Sequence, residues 1–195
     1  MEGDPSFLGS GMRIYTDLDE TLIGNVHGPD GQVIDIIPRP GVQWFLRTLS
    51  NHGSLWMITA ANSAHAEQAL RKLGREARLF KGIITREDMK PVEEQIEVVL
   101  ETPGLTDEQR LTLWNEITPI EKPGIIFDDF PVGSSLWAMK SKAIGIDEDK
   151  WIQVDQYLPG QPDNQGLKRA YSEFIARFGD QSAALGRRKR TLAWL

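Results

Sequence analysis

The chain has 195 residues, 40% hydrophobic and 26% charged, with a formal net charge of −6 and no cysteine. That length suits one domain around one core, and the missing cysteine excludes disulfide frameworks, thiolate zinc sites, iron–sulfur clusters and cysteine nucleophiles. Of its 22 basic residues, Arg187, Arg188, Lys189 and Arg190 lie in the acid-free stretch 181–195, so the other 18 face all 28 acids within 1–180. Such an acidic body argues against broad nucleic-acid binding. The basic tail reads as a solvated end, a lid over an acidic surface, or a docking or localisation signal. No apolar run reaches the ~18–20 residues of a membrane span, and residues 1–11 lack the charged start and apolar centre of a signal peptide. A cytoplasmic protein is therefore expected.

In chain order, residues 12–18 form a short apolar run ending in acids and read as a first strand. Residues 42–51 carry apolar side chains at helical spacing, with Pro40 and Gly41 before them and Gly53 after. Residues 54–59 read as a buried second strand. Residues 63–73 read as a helix, with Ser63 as N-cap, Glu67 and Arg71 four apart, and Gly74 at the stop. A third strand is expected over 79–85, helices over 91–100 and 107–117, and a fourth strand over 124–127, just ahead of Asp128 and Asp129. Residues 134–141 suggest a helix, 143–146 a fifth strand, and 167–178 a closing helix stopped by Gly179. This β-α alternation implies an α/β three-layer sandwich with a mainly parallel sheet. One catalytic domain over 1–180 is expected, with a small hairpin flap at 24–38 around a Pro29-Asp30-Gly31 turn. A helical insertion within 86–123 and the basic tail at 181–195 complete the chain.

In open α/β sheets ligands bind beyond the carboxyl ends of the strands. Here the first strand ends Asp17-Leu18-Asp19, the second in Thr59, and the fourth in Asp128-Asp129. Side chains alternate along a strand, so Asp17 and Asp19 would share a face at roughly 6–7 Å, with Leu18 turned into the core. Two carboxylates that close repel unless a cation or a shared proton compensates. With Asp128 and Asp129 added, the economical solution is a hard, oxygen-loving divalent cation such as Mg²⁺. The plainer reading makes Asp19 a helix cap and Asp17 a surface acid, but a cap needs one acid and this sequence clusters four.

The segment Asp17-Leu18-Asp19-Glu20-Thr21-Leu22 resembles the first motif of the haloacid dehalogenase superfamily. Thr59, ending Trp56-Met57-Ile58-Thr59, resembles its second motif, and Asp128-Asp129 after Ile125-Ile126-Phe127 its acidic fourth. Together these cover about residues 12–147. Over about 13–74, Arg39-Pro40-Gly41-Val42 before Phe45-Leu46, and Thr59-Ala60-Ala61 before His65-Ala66, are similar to the branch of phosphatases acting on the C-terminal tail of RNA polymerase. The resemblance implies a Rossmannoid phosphatase with a minimal cap. In it Asp17 would attack phosphorus and become an aspartyl-phosphate. Asp19 would protonate the leaving oxygen and then deprotonate the releasing water. Mg²⁺ would bridge Asp17, the backbone carbonyl of Asp19, and Asp128 or Asp129. Thr59 would hold a phosphate oxygen, helped by the backbone N–H groups of Ala60 and Ala61.

The third motif needs a lysine near the nucleophile. Lys90, in Met89-Lys90-Pro91 after the third strand, is the expected one; Lys122, six residues before Asp128, and Lys81 compete. Twenty residues between Asp19 and Pro40 are too few for an α-helical cap. Related enzymes with small caps have open sites, suited to a phosphorylated protein, a nucleic-acid end or an exposed small phosphoester, though an oligomer partner could also cover the site. The alternatives are a nucleotidase or sugar-phosphate phosphatase, in which residues 24–38 or 86–123 would close over a small molecule, and a catalytically silent module that binds a phosphorylated ligand. His27 reads as a solvated loop residue, His65 as a surface residue near the phosphate site, and the six tryptophans mainly as core, with Trp194 a possible anchor for the tail.

Overall fold

The computed structural model describes residues 11–160, 162 and 165–192. Five parallel strands form its sheet: β1 (Arg13–Thr16), β4 (Ser54–Ile58), β5 (Phe80–Ile84), β6 (Ile125–Asp128) and β7 (Trp151–Gln153), in the order β5-β4-β1-β6-β7. Strand order reverses at β1, which pairs with β4 on one side and β6 on the other. The fold is thus the α/β parallel-sheet architecture expected. Alternation along the strands builds two cores. Ile14, Leu55, Met57, Ile125 and Phe127 face one side, where they meet α1 (Val42–Ser50), α2 (Ser63–Leu73) and α6 (Gly166–Leu192). Tyr15, Ile58 and Ile126 face the other, against α3 (Arg86–Glu101), α5 (Ser135–Ala143) and the end of α4 (Asp107–Glu116). Strands buried on both faces read as near-continuous apolar runs, as these do.

Between β1 and α1 the chain makes an antiparallel hairpin, β2 (Ile23–His27) and β3 (Val33–Pro38), whose turn places Gly31 at φ 77°. Its base rests on the loop after β7: a Cβ on Gly24 would come within 2.5 Å of the Pro159 ring. The buried Arg39 closes the hairpin, donating to the Thr21 carbonyl at 3.2 Å with its guanidinium 5.5 Å from the Tyr157 ring centre.

Several elements depart from expectation. The helix expected to start at Pro91 begins at Arg86, because Thr85 and Asp88 form a capping box in which Asp88 accepts from the Thr85 N–H at 2.8 Å; this start signal outweighs the proline. Asn62, not Ser63, caps α2, accepting from the His65 N–H at 2.9 Å. The strand expected at 143–146 does not form. Ala143 ends α5, Gly145 turns the chain at φ 60°, and the edge strand is β7. Short apolar runs can be buried without pairing, and here Ile144 and Ile146 are. Helix α6 continues through Gly179 to Leu192; a glycine costs a helix interior only ~1 kcal/mol, which neighbouring helix formers can offset. Trp194 lies outside the described residues. Trp151 is buried as expected, but Trp44 is 43% exposed.

Candidate active site

The carboxyl ends of β1 and β6 are neighbours, so Asp17 and Asp128 emerge side by side, both buried. Between them sits the ammonium of Lys140, from α5, 2.6 Å from Asp17 Oδ1 and 2.6 Å from Asp128 Oδ2, at 0% exposure. Asp128 Oδ1 accepts from the Phe130 N–H at 2.9 Å, and Asp129 accepts from the Thr21 hydroxyl at 3.0 Å. One carboxylate oxygen from each of Asp17, Asp128 and Asp129 lies within 4.8 Å of the others.

Charge in this cluster does not balance. Burial would lower the Lys140 pKa, yet Asp17 and Asp128 more than offset that, so the lysine stays charged. Burial lifts Asp17 well above the ordinary aspartate range, with Asp128 and Asp129 adding repulsion, and also lifts Asp128 despite Lys140. Asp129 is pushed up to about 6, by burial first and by Asp128 second. Fully ionised, three carboxylates and one ammonium leave two negative charges. An all-oxygen donor set with that deficit fits a hard divalent cation.

A second group of side chains surrounds Asp19, which lies beyond the end of β1. Its Oδ1 accepts from Asn25 Nδ2 at 2.6 Å and lies 2.7 Å from His65 Nε2, while Oδ2 accepts from the Thr59 hydroxyl at 3.4 Å. Thr59 stands just past the end of β4, and its hydroxyl also accepts from the Ala61 N–H at 3.1 Å. Leu18, between the two acids, is fully buried in the core.

The family model for NLI interacting factor-like phosphatases matches residues 14–110, about half of the chain. The chain belongs to this phosphatase family, and with it to the haloacid dehalogenase superfamily. The family match includes Asp17, Asp19 and Thr59; Asp128, Asp129 and Lys140 fall outside it, the two acids expected from the sequence and Lys140 joined to them by geometry alone. No curated protein matches the sequence. Among solved structures, the chain resembles Fcp1, described as an essential RNA polymerase II CTD phosphatase, at 18% identity and a TM-score of 0.46, covering 94% of this chain and 53% of that one. The fission yeast Fcp1-R271A variant bound to beryllium fluoride gives 17%, 0.42, 94% and 55% respectively. A protein described as a beta-phosphoglucomutase, from Thermotoga maritima, gives 15%, 0.42, 82% and 91%. The chain thus spans about half the length of the two Fcp1 chains.

Not every expected site residue of this family member converges. Lys90 lies on the solvent side of α3, 69% exposed and 3.8 Å from Glu94. Lys81 and Lys122 are also exposed, and the Lys122 backbone carbonyl accepts from the Tyr15 hydroxyl at 2.6 Å. The lysine among the acids is Lys140, which sequence reasoning missed. Its signal was present: Leu136, Trp137, Ala143 and Ile144 flank it at three- and four-residue spacing, putting one lysine in the middle of an apolar helix face. Asp17 and Asp19 have different partners, Lys140 for the first and Asn25, His65 and Thr59 for the second, and both lie past Thr16, where β1 and its strand alternation end. The Ala61 N–H, expected to face a phosphate, is engaged by Thr59. His65 is part-buried against Asp19, not a surface residue, whereas His27 lies in the exposed hairpin, 3.0 Å from the Gly31 carbonyl.

Proposed function

We propose that the chain is a Mg²⁺-dependent phosphomonoester hydrolase working through an aspartyl-phosphate on Asp17. The observation that carries this reading is the buried Lys140 ammonium held 2.6 Å from both Asp17 and Asp128, beside Asp129, where the strand order reverses. Asp17, Asp128 and Asp129, with the backbone carbonyl of Asp19, would hold the cation. When bound, it supplies charge neutralisation that lets an anionic nucleophile approach an anionic phosphoryl group.

The chain's own residues then divide the work. Lys140 fixes one oxygen of Asp17, which leaves the other to attack phosphorus. As the P–O bond to the leaving group breaks, Asp19 gives its proton to the departing oxygen. The resulting Asp19 carboxylate takes a proton from the water that attacks the aspartyl-phosphate. Inorganic phosphate leaves, and Asp17 is regenerated. Thr59, already 3.4 Å from Asp19, turns its hydroxyl to a phosphate oxygen. Lys140 fills the role that sequence reasoning assigned to Lys90.

The hairpin 23–38 supplies the cover on the Asp19 side, and it exposes Val33, Ile34 and Ile37. Helix α3 is no lid, since Met89, Val92 and Val99 bury it against the sheet. This arrangement supports an accessible phosphate, on a macromolecule or a small phosphoester, over a substrate enclosed by a cap. The test is Mg²⁺-dependent hydrolysis of an aryl phosphate by the wild type and Asp17→Asn. The variant is expected to lose at least ~10³-fold in kcat while remaining folded, because a buried repelling charge is gone. Equal activity in both proteins removes Asp17 as nucleophile. No wild-type turnover across a broad phosphoester panel favours a silent binding module.

A further inference from the structure

Asp19 is gripped from two directions by residues outside the cluster of acids. Asn25 comes from β2 of the hairpin, in register with Ile36, and its Nδ2 lies 2.6 Å from Asp19 Oδ1. His65 comes from the first turn of α2, where its backbone N–H is tied to the Asn62 cap, and its Nε2 lies 2.7 Å from the same oxygen. The imidazole is only 17% exposed and the Asp19 side chain 27%. The other oxygen, Oδ2, faces Thr59.

We infer that His65 is a positioning residue for Asp19: with Asn25 it occupies both lone-pair directions of Oδ1, so that the proton Asp19 transfers resides on Oδ2. The inference rests on the reading of Asp19 as the acid and deepens it. A carboxylic acid has two oxygens, and a proton on the wrong one must migrate before it can reach the leaving group. Two donors on Oδ1 remove that choice. A helix-borne imidazole and an amide from the hairpin also fix the carboxylate plane, which a single contact would leave free to swing. The contact requires His65 to carry its hydrogen on Nε2.

The experiment compares kcat/KM, which reports steps only up to leaving-group departure, for p-nitrophenyl phosphate and ethyl phosphate with Mg²⁺ present. A good leaving group needs little protonation, whereas an alkoxide needs much. General acid catalysis contributes ~10²–10⁴-fold, so His65→Ala is expected to lose at least ~10-fold more on the ethyl ester than on the aryl ester. His65→Gln, which keeps an N–H donor near the Nε2 position, should recover most of that difference. Equal losses on both esters in His65→Ala, or a Gln variant no better than Ala, would overturn the inference. Asp19→Asn separates it from the reading beneath it. If Asp19→Asn discriminates between the esters and His65→Ala does not, only the role of His65 falls; if Asp19→Asn fails to discriminate, both fall. A second measurement needs no turnover and no His65 variant. With only three histidines in the chain, imidazole ¹⁵N spectra of the metal-free protein should show His65 as the Nε2–H tautomer in the wild type and a shifted tautomer balance in Asp19→Ala. Unchanged His65 signals in that variant would also overturn the inference.

Discussion

Lys140 stays charged at zero exposure because Asp17 and Asp128 each lie 2.6 Å from its ammonium. Removing it should therefore be costly twice over. Lys140→Met is expected to lower kcat by ~10²-fold or more and to destabilise the chain by about 3–5 kcal/mol, since buried carboxylates lose their counter-charge. Adding Asp128→Asn to that variant should restore part of the stability and none of the activity, as read by denaturant unfolding and phosphate release. A stable, active Lys140→Met protein would contradict the role given to this residue. Asp129 gives a prediction with a pH signature. Its pKa near 6, pushed up chiefly by burial, exceeds its ordinary 3.8, so the folded chain takes up a proton there. The penalty for folding it ionised is absent at low pH, grows as pH rises from about 4 to 6, and is constant above. Without metal, Asp129→Asn should match the wild type near pH 4 and be more stable by about 1–3 kcal/mol above pH 6. A stability difference that is flat from pH 4 to 7 in urea titrations would refute this.

At the scale of elements, close approach decides what the sheet tolerates. Gly82 in β5 lies under Trp56 of β4, and a Cβ there would come within 2.2 Å of the indole ring. Gly82→Ala should cost about 1–3 kcal/mol, the usual price of overpacking, while kcat stays within twofold because neither Gly82 nor Trp56 is among the site residues at the ends of β1, β4 and β6 and on α5. Unfolding midpoints and initial rates test the two halves separately. Elements with their own start and stop signals were legible in advance: α1 behind Pro40-Gly41, α2 ahead of Gly74, and α4 over Asp107–Glu116. Errors arose where two local signals competed. Thr85 and Asp88 outweighed Pro91 at the start of α3, and the apolar run 143–146 was buried without ever pairing as a strand.

Across the whole molecule, the order β5-β4-β1-β6-β7 brings acids from distant parts of the chain to one edge of the sheet. A divalent cation bound there stabilises only the folded state, by ~2.7 kcal/mol at a hundredfold excess over its Kd. Mg²⁺ should raise the melting temperature of the wild type and reverse its rank against Asp129→Asn, whereas chelator should restore the metal-free order. An equal Mg²⁺ response in both proteins would place the cation elsewhere. The described residues include no helix long and apolar enough to cross a membrane.

By itself, the sequence determined the alternation of strands and helices, the acids at two strand ends, and the absence of any thiol chemistry. Those properties are local: an apolar run, a cap, a glycine stop and a residue type each act within a few positions of the chain. Which lysine meets Asp17 is not local. Lys90, Lys122 and Lys140 all lie near expected element ends, and only packing decided among them. Helix α5 turns Lys140 inward between β1 and β6, whereas α3 turns Lys90 to solvent. The grip of His65 and Asn25 on Asp19 was equally hidden, because it joins a helix turn to a hairpin through a carboxylate that neither segment contains. A charge pair across such sequence distances exists only once two layers have closed on the sheet. Burial, which gives the pair its strength, is a property of those layers and not of any segment.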